Sequence, residues 1–274
     1  MNVKYDFSGD VAVVVGAATG IGRGTAIAFG KAGACVAVCD FNEEKGKETV
    51  KLALEAGAQK ASFYKVNVTD AETIKAAKEQ IMADYGRVDC LFHNAGVSAA
   101  GDKLGPPLSG IPMDDFQRLF DINLFGMIRV NQAFLDVFMN QKHGKIVVTA
   151  SISAHMPSVM MPQYSTSKRA VINMAQALAK ELGPYNVNVN ILNPGFVYTP
   201  MYENGGLSIK DKNPVAFAKA ETAEDVMKQL ASSSVFKRPQ LVEDMANVVL
   251  WLCTEDAKEV TGQEFNVDSG IIRR

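Results

Sequence analysis

Tyr164 and Lys168 stand four residues apart in the run Tyr-Ser-Thr-Ser-Lys, and Ser151 lies thirteen residues before the tyrosine. Four residues is about one helical turn, so on a helix the phenol and the ammonium share a face. A free tyrosine has a pKa near ~10 and is a poor base at neutral pH. A cation held beside it favours the phenolate and lowers that value. The pair can then exchange a proton with an alcohol or carbonyl oxygen, while a serine hydroxyl holds that oxygen in place. An ordinary helix turn carrying Tyr and Lys has the same spacing, so the meaning of the trio depends on what surrounds it.

A second cluster lies near the start of the chain. The apolar run Val11-Ala12-Val13-Val14-Val15 meets Gly16-Ala17-Ala18-Thr19-Gly20-Ile21-Gly22, after which a helical pattern begins. Glycines there allow a tight turn and let a pyrophosphate approach the helix N-terminus, where free amides and the helix dipole favour negative charge. Asp40 ends the second strand-like run about twenty residues on, where an acid can accept both ribose hydroxyls of NAD. Asp40 is also placed to cap the next helix. Phe41 and Asn42 follow it, Thr19 is not basic, and no arginine or lysine is expected there for a 2′-phosphate. NAD is therefore expected rather than NADP.

These residues need a frame. Strand-like apolar runs fall at 11–15, 35–39, 63–68, 88–92, 145–150, 187–192 and 264–267. Amphipathic helical patterns fall at 20–31, 43–55, 71–84, 114–140, 163–182 and 242–253. This alternation predicts an α/β fold, a Rossmann-type doubly wound parallel sheet with helices on both faces, because parallel strands need crossovers. No linker, charge block or low-complexity segment divides residues 1–274, so one domain is expected.

Composition narrows the classes further. A hydrophobic content of 47% supplies a sizeable core, and a formal charge of -2 offers no basic field for nucleic acid. No apolar stretch is long enough to span a membrane or form a signal-peptide core. Cys35 and Cys39 on one strand are separated by about 13 Å, too far for one disulfide or metal site. With Cys90 and Cys253 they are expected to be core thiols of a reduced, cytoplasmic protein without a metal.

Further motifs follow in order: His93-Asn94-Ala95-Gly96, Asp121-Ile122-Asn123-Leu124, Asn193-Pro194-Gly195-Phe196-Val197-Tyr198-Thr199, and Thr261-Gly262-Gln263 leading to Val267-Asp268-Ser269-Gly270. With the glycine turn and the Ser151, Tyr164, Lys168 trio, they resemble the short-chain dehydrogenase/reductase family, in its Tyr-x-x-x-Lys branch, over nearly the whole chain. Four departures stand out. Val15 sits where threonine is common, Asn67 where aspartate is common near the adenine, His93 where a first asparagine is common, and Ser269 where glycine is common. None touches the four residues that match the family's catalytic set, Asn123, Ser151, Tyr164 and Lys168.

The resemblance implies hydride transfer between nicotinamide C4 and a secondary alcohol or ketone carbon. Tyr164 would exchange the proton, and Lys168 would lower the tyrosine pKa and hold the nicotinamide ribose. Ser151 would hydrogen-bond the substrate oxygen, and Asn123 would anchor a water linking Lys168 to solvent. For Asn123, a polar residue that bends its helix is the competing reading. Cofactor contacts are implied at Gly16, Thr19, Gly20, Ile21, Gly22, Asp40, Phe41, Asn67, Val68, Asn94, Ala95, Gly96, Tyr164, Lys168, Pro194, Gly195, Val197 and Thr199. Relatives commonly assemble as tetramers through the helices at 114–140 and 163–182 and the closing strand, so a homotetramer or homodimer is expected.

Two segments look built for a substrate: the Gly- and Pro-rich stretch 101–112, and 201–239, where the family carries its mobile lid. Met156, Met160, Met161 and Met201 suit an apolar, irregular ligand, although methionine is also ordinary core filler. A hydrophobic cyclic alcohol or ketone, such as a hydroxysteroid or bile acid, is the first expectation, and a sugar alcohol the second. A non-catalytic NAD-binding regulator and a carbonyl-forming isomerase or dehydratase on the same fold are the remaining alternatives.

Overall fold

The computed structural model describes residues 3–98, 107–212 and 214–273. Seven strands form one parallel sheet: β1 (Val11–Val15), β2 (Cys35–Asp40), β3 (Lys60–Lys65), β4 (Cys90–His93), β5 (Gly144–Thr149), β6 (Val187–Pro194) and β7 (Glu264–Val267). Their spatial order is β3-β2-β1-β4-β5-β6-β7. The helices are α1 (Gly20–Lys31), α2 (Glu43–Ala56), α3 (Ala71–Tyr85), α4 (Met113–Phe120), α5 (Gly126–Gln141), α6 (Pro162–Leu182), α7 (Pro200–Lys212), α8 (Ala223–Ala231) and α9 (Val242–Leu252).

Alternation along the strands builds two cores, because successive side chains of a strand point to opposite faces. Val13, Val15, Leu91, Ile146 and Val148 pack with residues of α3, α5 and α6 such as Ile81, Phe134 and Ile172. Ala12, Val14, Phe92, Val147 and Leu192 face the other way, toward Phe29 of α1 and Met245 and Val249 of α9. The strand order reverses between β1 and β4. A crevice opens there beyond the strands' C-terminal ends, the place where doubly wound sheets bind ligands.

Four expectations about the fold need correction. The single helix expected over 114–140 is α4, a π turn at Asp121–Phe125, and α5. Gly126 lies so close to β3's exit that an added Cβ would sit 2.8 Å from Val68 Cγ2, and Arg129 pairs with Asp121 Oδ1 at 2.6 Å. A π turn inserts one residue without breaking the helical rhythm, so the pattern hides it. The strand expected over 63–68 is β3 at 60–65, because its ladder with β2 ends at the Asp40–Lys65 pair. The chain then turns at Asn67, whose Oδ1 accepts from the Thr69 amide at 3.1 Å. The lid, read only as a mobile segment, contains α7 and α8. Residues 101–106 of the Gly- and Pro-rich stretch lie outside the described residues. All four cysteines are free thiols, and Cys35 is half-buried rather than in the core.

Candidate active site

The glycine turn follows β1 directly. Gly16 and Gly20 adopt φ of +81° and +55°, and an added Cβ at Gly16 would lie 2.6 Å from the Ala95 backbone. Thr19 precedes α1 without capping it through its side chain, and the first turn carries no acidic residue. The amides at that end thus keep their capacity to bind an anion, which fits a dinucleotide pyrophosphate. Gly22 serves packing: a Cβ there would fall 2.0 Å from the Gly16 carbonyl oxygen.

Asp40 is buried at the end of β2, and Asn42 rather than Asp40 caps α2, accepting from the Lys45 amide at 3.0 Å. One Asp40 oxygen accepts from the Ala18 amide at 2.8 Å and the other from the Asn42 amide at 2.9 Å. The carboxylate therefore orders the glycine turn as well as facing the crevice. Lys45 also lines this end of the crevice, contrary to the expectation that no basic residue lies there; its position on α2 brings it back over the turn.

Asn94 joins the two halves of the crevice. Its amide donates to the Gly16 carbonyl at 3.3 Å and accepts from Thr149 Oγ1 at 3.1 Å. Beyond it, Ser151 leaves β5 and accepts the Ser153 amide at 3.1 Å, capping a short 3₁₀ turn at Ile152–Ala154. Tyr164 and Lys168 lie on consecutive turns of α6, which Pro162 starts. Together these groups border one cleft of about 1090 Å³.

Of the sequence-derived residues, Gly16, Thr19, Gly20, Ile21, Asp40, Phe41, Asn67, Val68, Asn94, Ala95 and Gly96 line this cleft. So do Ser151, Tyr164, Lys168, Pro194, Gly195, Val197 and Thr199. Gly22 and Asn123 do not. Asn123 projects from the π turn into the interior. Its Oδ1 accepts from the Val97 amide at 2.8 Å, and its Nδ2 donates to the Val97 carbonyl at 2.9 Å and Ser167 Oγ at 3.1 Å. The side chain is thus spent on pinning the strand exit after Gly96.

The electrostatics depart from the simple Tyr–Lys picture. Burial pushes the Tyr164 phenol above its ordinary value, and a hydrogen bond with Ser151 pulls it partly back. Burial also lowers Lys168 to about 8. Lys168 Nζ donates to the Thr149 carbonyl at 2.9 Å and lies 5.9 Å from the Tyr164 ring centre. In this cleft, desolvation rather than the ammonium sets the direction of the phenol's shift. His93, at the end of β4, is buried with neither ring nitrogen in a hydrogen bond of ordinary geometry. Burial and then the nearby Lys168 charge drive it to about 3, so it is neutral.

Sequence reasoning missed several contributors. The Thr149 carbonyl fixes Lys168, and main-chain acceptors carry no sequence signal. The cleft's outer wall adds Phe196, Tyr202, Ile209, Phe217 and Leu230 to Met156, Met160, Met161 and Met201. Leu230 comes from α8, whose Thr222-x-x-Asp225 capping box was a readable start signal.

The short chain dehydrogenase family model matches residues 10–208. The chain belongs to the short-chain dehydrogenase family. It is 33% identical to the 3-oxoacyl-(acyl-carrier-protein) reductase of Thermotoga maritima, over 96% of this chain and 98% of that one. It is 35% identical to the L-2,3-butanediol dehydrogenase of Corynebacterium glutamicum, again over 96% and 98%. The crystal structure of an NAD+-bound xylitol dehydrogenase superposes with a TM-score of 0.85 at 29% identity, covering 96% of this chain and 99% of that one. As a member of this oxidoreductase family the chain is built for a nicotinamide cofactor and a small-molecule substrate. Among the described residues, no helix is long and apolar enough to cross a membrane.

Proposed function

We propose that this chain interconverts a secondary alcohol and a ketone with NAD, on a hydrophobic cyclic substrate of the hydroxysteroid or bile-acid kind. The observation that carries the reading is the convergence of Ser151, Tyr164 and Lys168 at one end of a single cleft whose other end holds Asp40 and the glycine turn. Bound nicotinamide supplies the hydride acceptor or donor. Ser151 and Tyr164 hold the substrate oxygen, and Tyr164 exchanges its proton. Lys168, fixed by the Thr149 carbonyl, places a titratable cation beside that exchange. Asn123 acts through the main chain at Val97, keeping Gly96 close to Lys168 Nζ, 3.2 Å from where a Cβ would stand.

Asp40 supports NAD, because a carboxylate accepts ribose hydroxyls and repels a 2′-phosphate; Lys45 nearby makes direct comparison with NADP necessary. The wall of methionines with Phe196, Phe217 and Leu230 supports an apolar substrate. A small diol or sugar alcohol is the second reading, supported by the butanediol and xylitol dehydrogenases among the similar proteins. Self-association as a homodimer or homotetramer belongs to the same reading, supported by β7's place at the edge of the sheet, where no further strand pairs with it among the described residues.

Absorbance at 340 nm tests the proposal, with NAD(H) and NADP(H) against steroids, bile acids, cyclic ketones and sugar alcohols. Turnover of an apolar cyclic class with NAD supports it. Turnover of sugar alcohols alone moves the assignment to the second reading, and cofactor binding with no turnover across the panel refutes both.

A further inference from the structure

Four residues beyond Ser151, His155 closes the 3₁₀ turn that Ser151 opens, its amide bonded to the Ile152 carbonyl at 2.9 Å. Its side chain is only 4% exposed although Met156 and Val159, just after it, are largely in solvent. The imidazole lies between two charged groups outside the cleft. His155 Nε2 is 2.5 Å from Glu264 Oε2 on β7, and Nδ1 is 3.3 Å from Arg169 Nη1 on α6. A guanidinium has only donors, so Nδ1 accepts from it. Nε2 in turn donates to Glu264, so the two contacts fix the orientation of the ring. Asn193, fully buried, joins the same point: its Nδ2 donates to Glu264 Oε2 at 3.1 Å and to Asn266 Oδ1 at 3.0 Å.

Three segments that border the cleft contribute to this knot. His155 comes from the turn of Ser151, Arg169 directly follows Lys168, and Asn193 directly precedes Pro194 and Gly195. The turn's other anchors are apolar, since Ile152 is buried and Ala154 packs against the core, and the chain after His155 emerges into solvent, so His155 supplies its polar tie. We propose that His155 is a positioning residue for Ser151, tying its turn to β7 and α6 through Glu264 and Arg169. The inference rests on the reading of Ser151 as the group that holds the substrate oxygen. A donor displaced by about 1 Å costs roughly 100-fold in rate, which sets the scale of the effect.

The test is a double-mutant cycle on full-length protein, with steady-state reduction of cyclohexanone by NADH and a separate measurement of NADH affinity by fluorescence. His155→Leu should lower kcat about 10- to 100-fold, with KM and NADH affinity within about twofold. His155→Gln, which keeps a donor and an acceptor, should recover most of the loss. In a Ser151→Ala background, His155→Leu should cost nothing more, because the residue it positions is gone. Glu264→Ala should show the same dependence on Ser151 and serves if His155→Leu does not fold. Multiplying losses in the double mutant, or a fully active His155→Leu, overturn the inference while leaving the role of Ser151 intact. If cyclohexanone is not turned over, the same cycle is run with the substrate of the panel that is; a fully active Ser151→Ala overturns the underlying reading and the inference with it.

Discussion

Replacing His93 with asparagine should make the cofactor-free protein markedly more resistant to acid. The folded protein holds His93 neutral down to about pH 3, whereas in the unfolded chain the same group titrates near 6.5. Between those values the unfolded chain binds a proton that the folded protein does not, so stability falls as pH falls. The stabilisation is fully present above pH 6.5 and is lost progressively toward pH 3. At about 1.4 kcal/mol per pH unit, the whole window amounts to about 5 kcal/mol, and the step from pH 7 to pH 5 to about 2 kcal/mol. A domain with about 5–15 kcal/mol of stability would feel that strongly. Urea unfolding followed by circular dichroism at pH 7, 6, 5 and 4 measures it for both proteins. His93→Asn should lie within about 1 kcal/mol of wild type at pH 7, because neither side chain is charged there. Between pH 7 and 5 it should lose about 2 kcal/mol less than wild type. Parallel curves would show that His93 is protonated or solvated in the folded protein, and the account of its burial would be wrong.

Other substitutions separate chemistry from scaffolding. Tyr164→Phe should reduce kcat by about 10²- to 10⁴-fold while cofactor affinity stays within about twofold, as measured by fluorescence titration; equal loss of both would make the tyrosine a structural residue. Asp40→Asn removes the charge but keeps an acceptor for the Ala18 amide, so the ratio of NAD to NADP affinity should fall about 10- to 100-fold. An unchanged ratio would remove Asp40 from cofactor selection. Gly22→Ala drives a methyl against the Gly16 carbonyl and should cost about 1–3 kcal/mol by thermal unfolding, together with most of the cofactor affinity. Wild-type stability and binding would mean that the turn is not rigid.

Much of this architecture was readable because local pattern and tertiary demand coincide. The apolar run at 11–15 is β1 residue for residue, and its alternation sends Val13 and Val15 to one core and Ala12 and Val14 to the other. The same agreement holds for α1 and β7. Patterns failed where a long-range contact decides. Only the approach of Gly126 to Val68 and the reach of Arg129 to Asp121 show why the helix over 114–140 takes a π turn at Asn123. Spacing brought Tyr164 and Lys168 to one face of α6 correctly, yet it carried no information on depth. Depth decides their proton affinities. The lid helix α7 is missed for a different reason: its sequence includes Asn204, Gly205 and Gly206, poor helix formers that local propensity reads as loop.

On the proposed function, the depth of that pair would let one site run in both directions. Burial moves both groups toward neutrality, raising the phenol and lowering the ammonium to about 8. Without cofactor, Tyr164 therefore keeps its proton, the state a ketone reduction needs in order to deliver one. Alcohol oxidation needs the opposite state. Lys168 is held at the Thr149 carbonyl rather than against the phenol, so it does not by itself provide that state. A cationic oxidised nicotinamide beside the phenol would favour phenolate, whereas the neutral reduced ring would not. Tyr164 would then take its protonation state from the redox state of the bound nicotinamide. Burial of the pair would keep the phenol responsive, because the same charge acts more strongly in a dry cleft than in water.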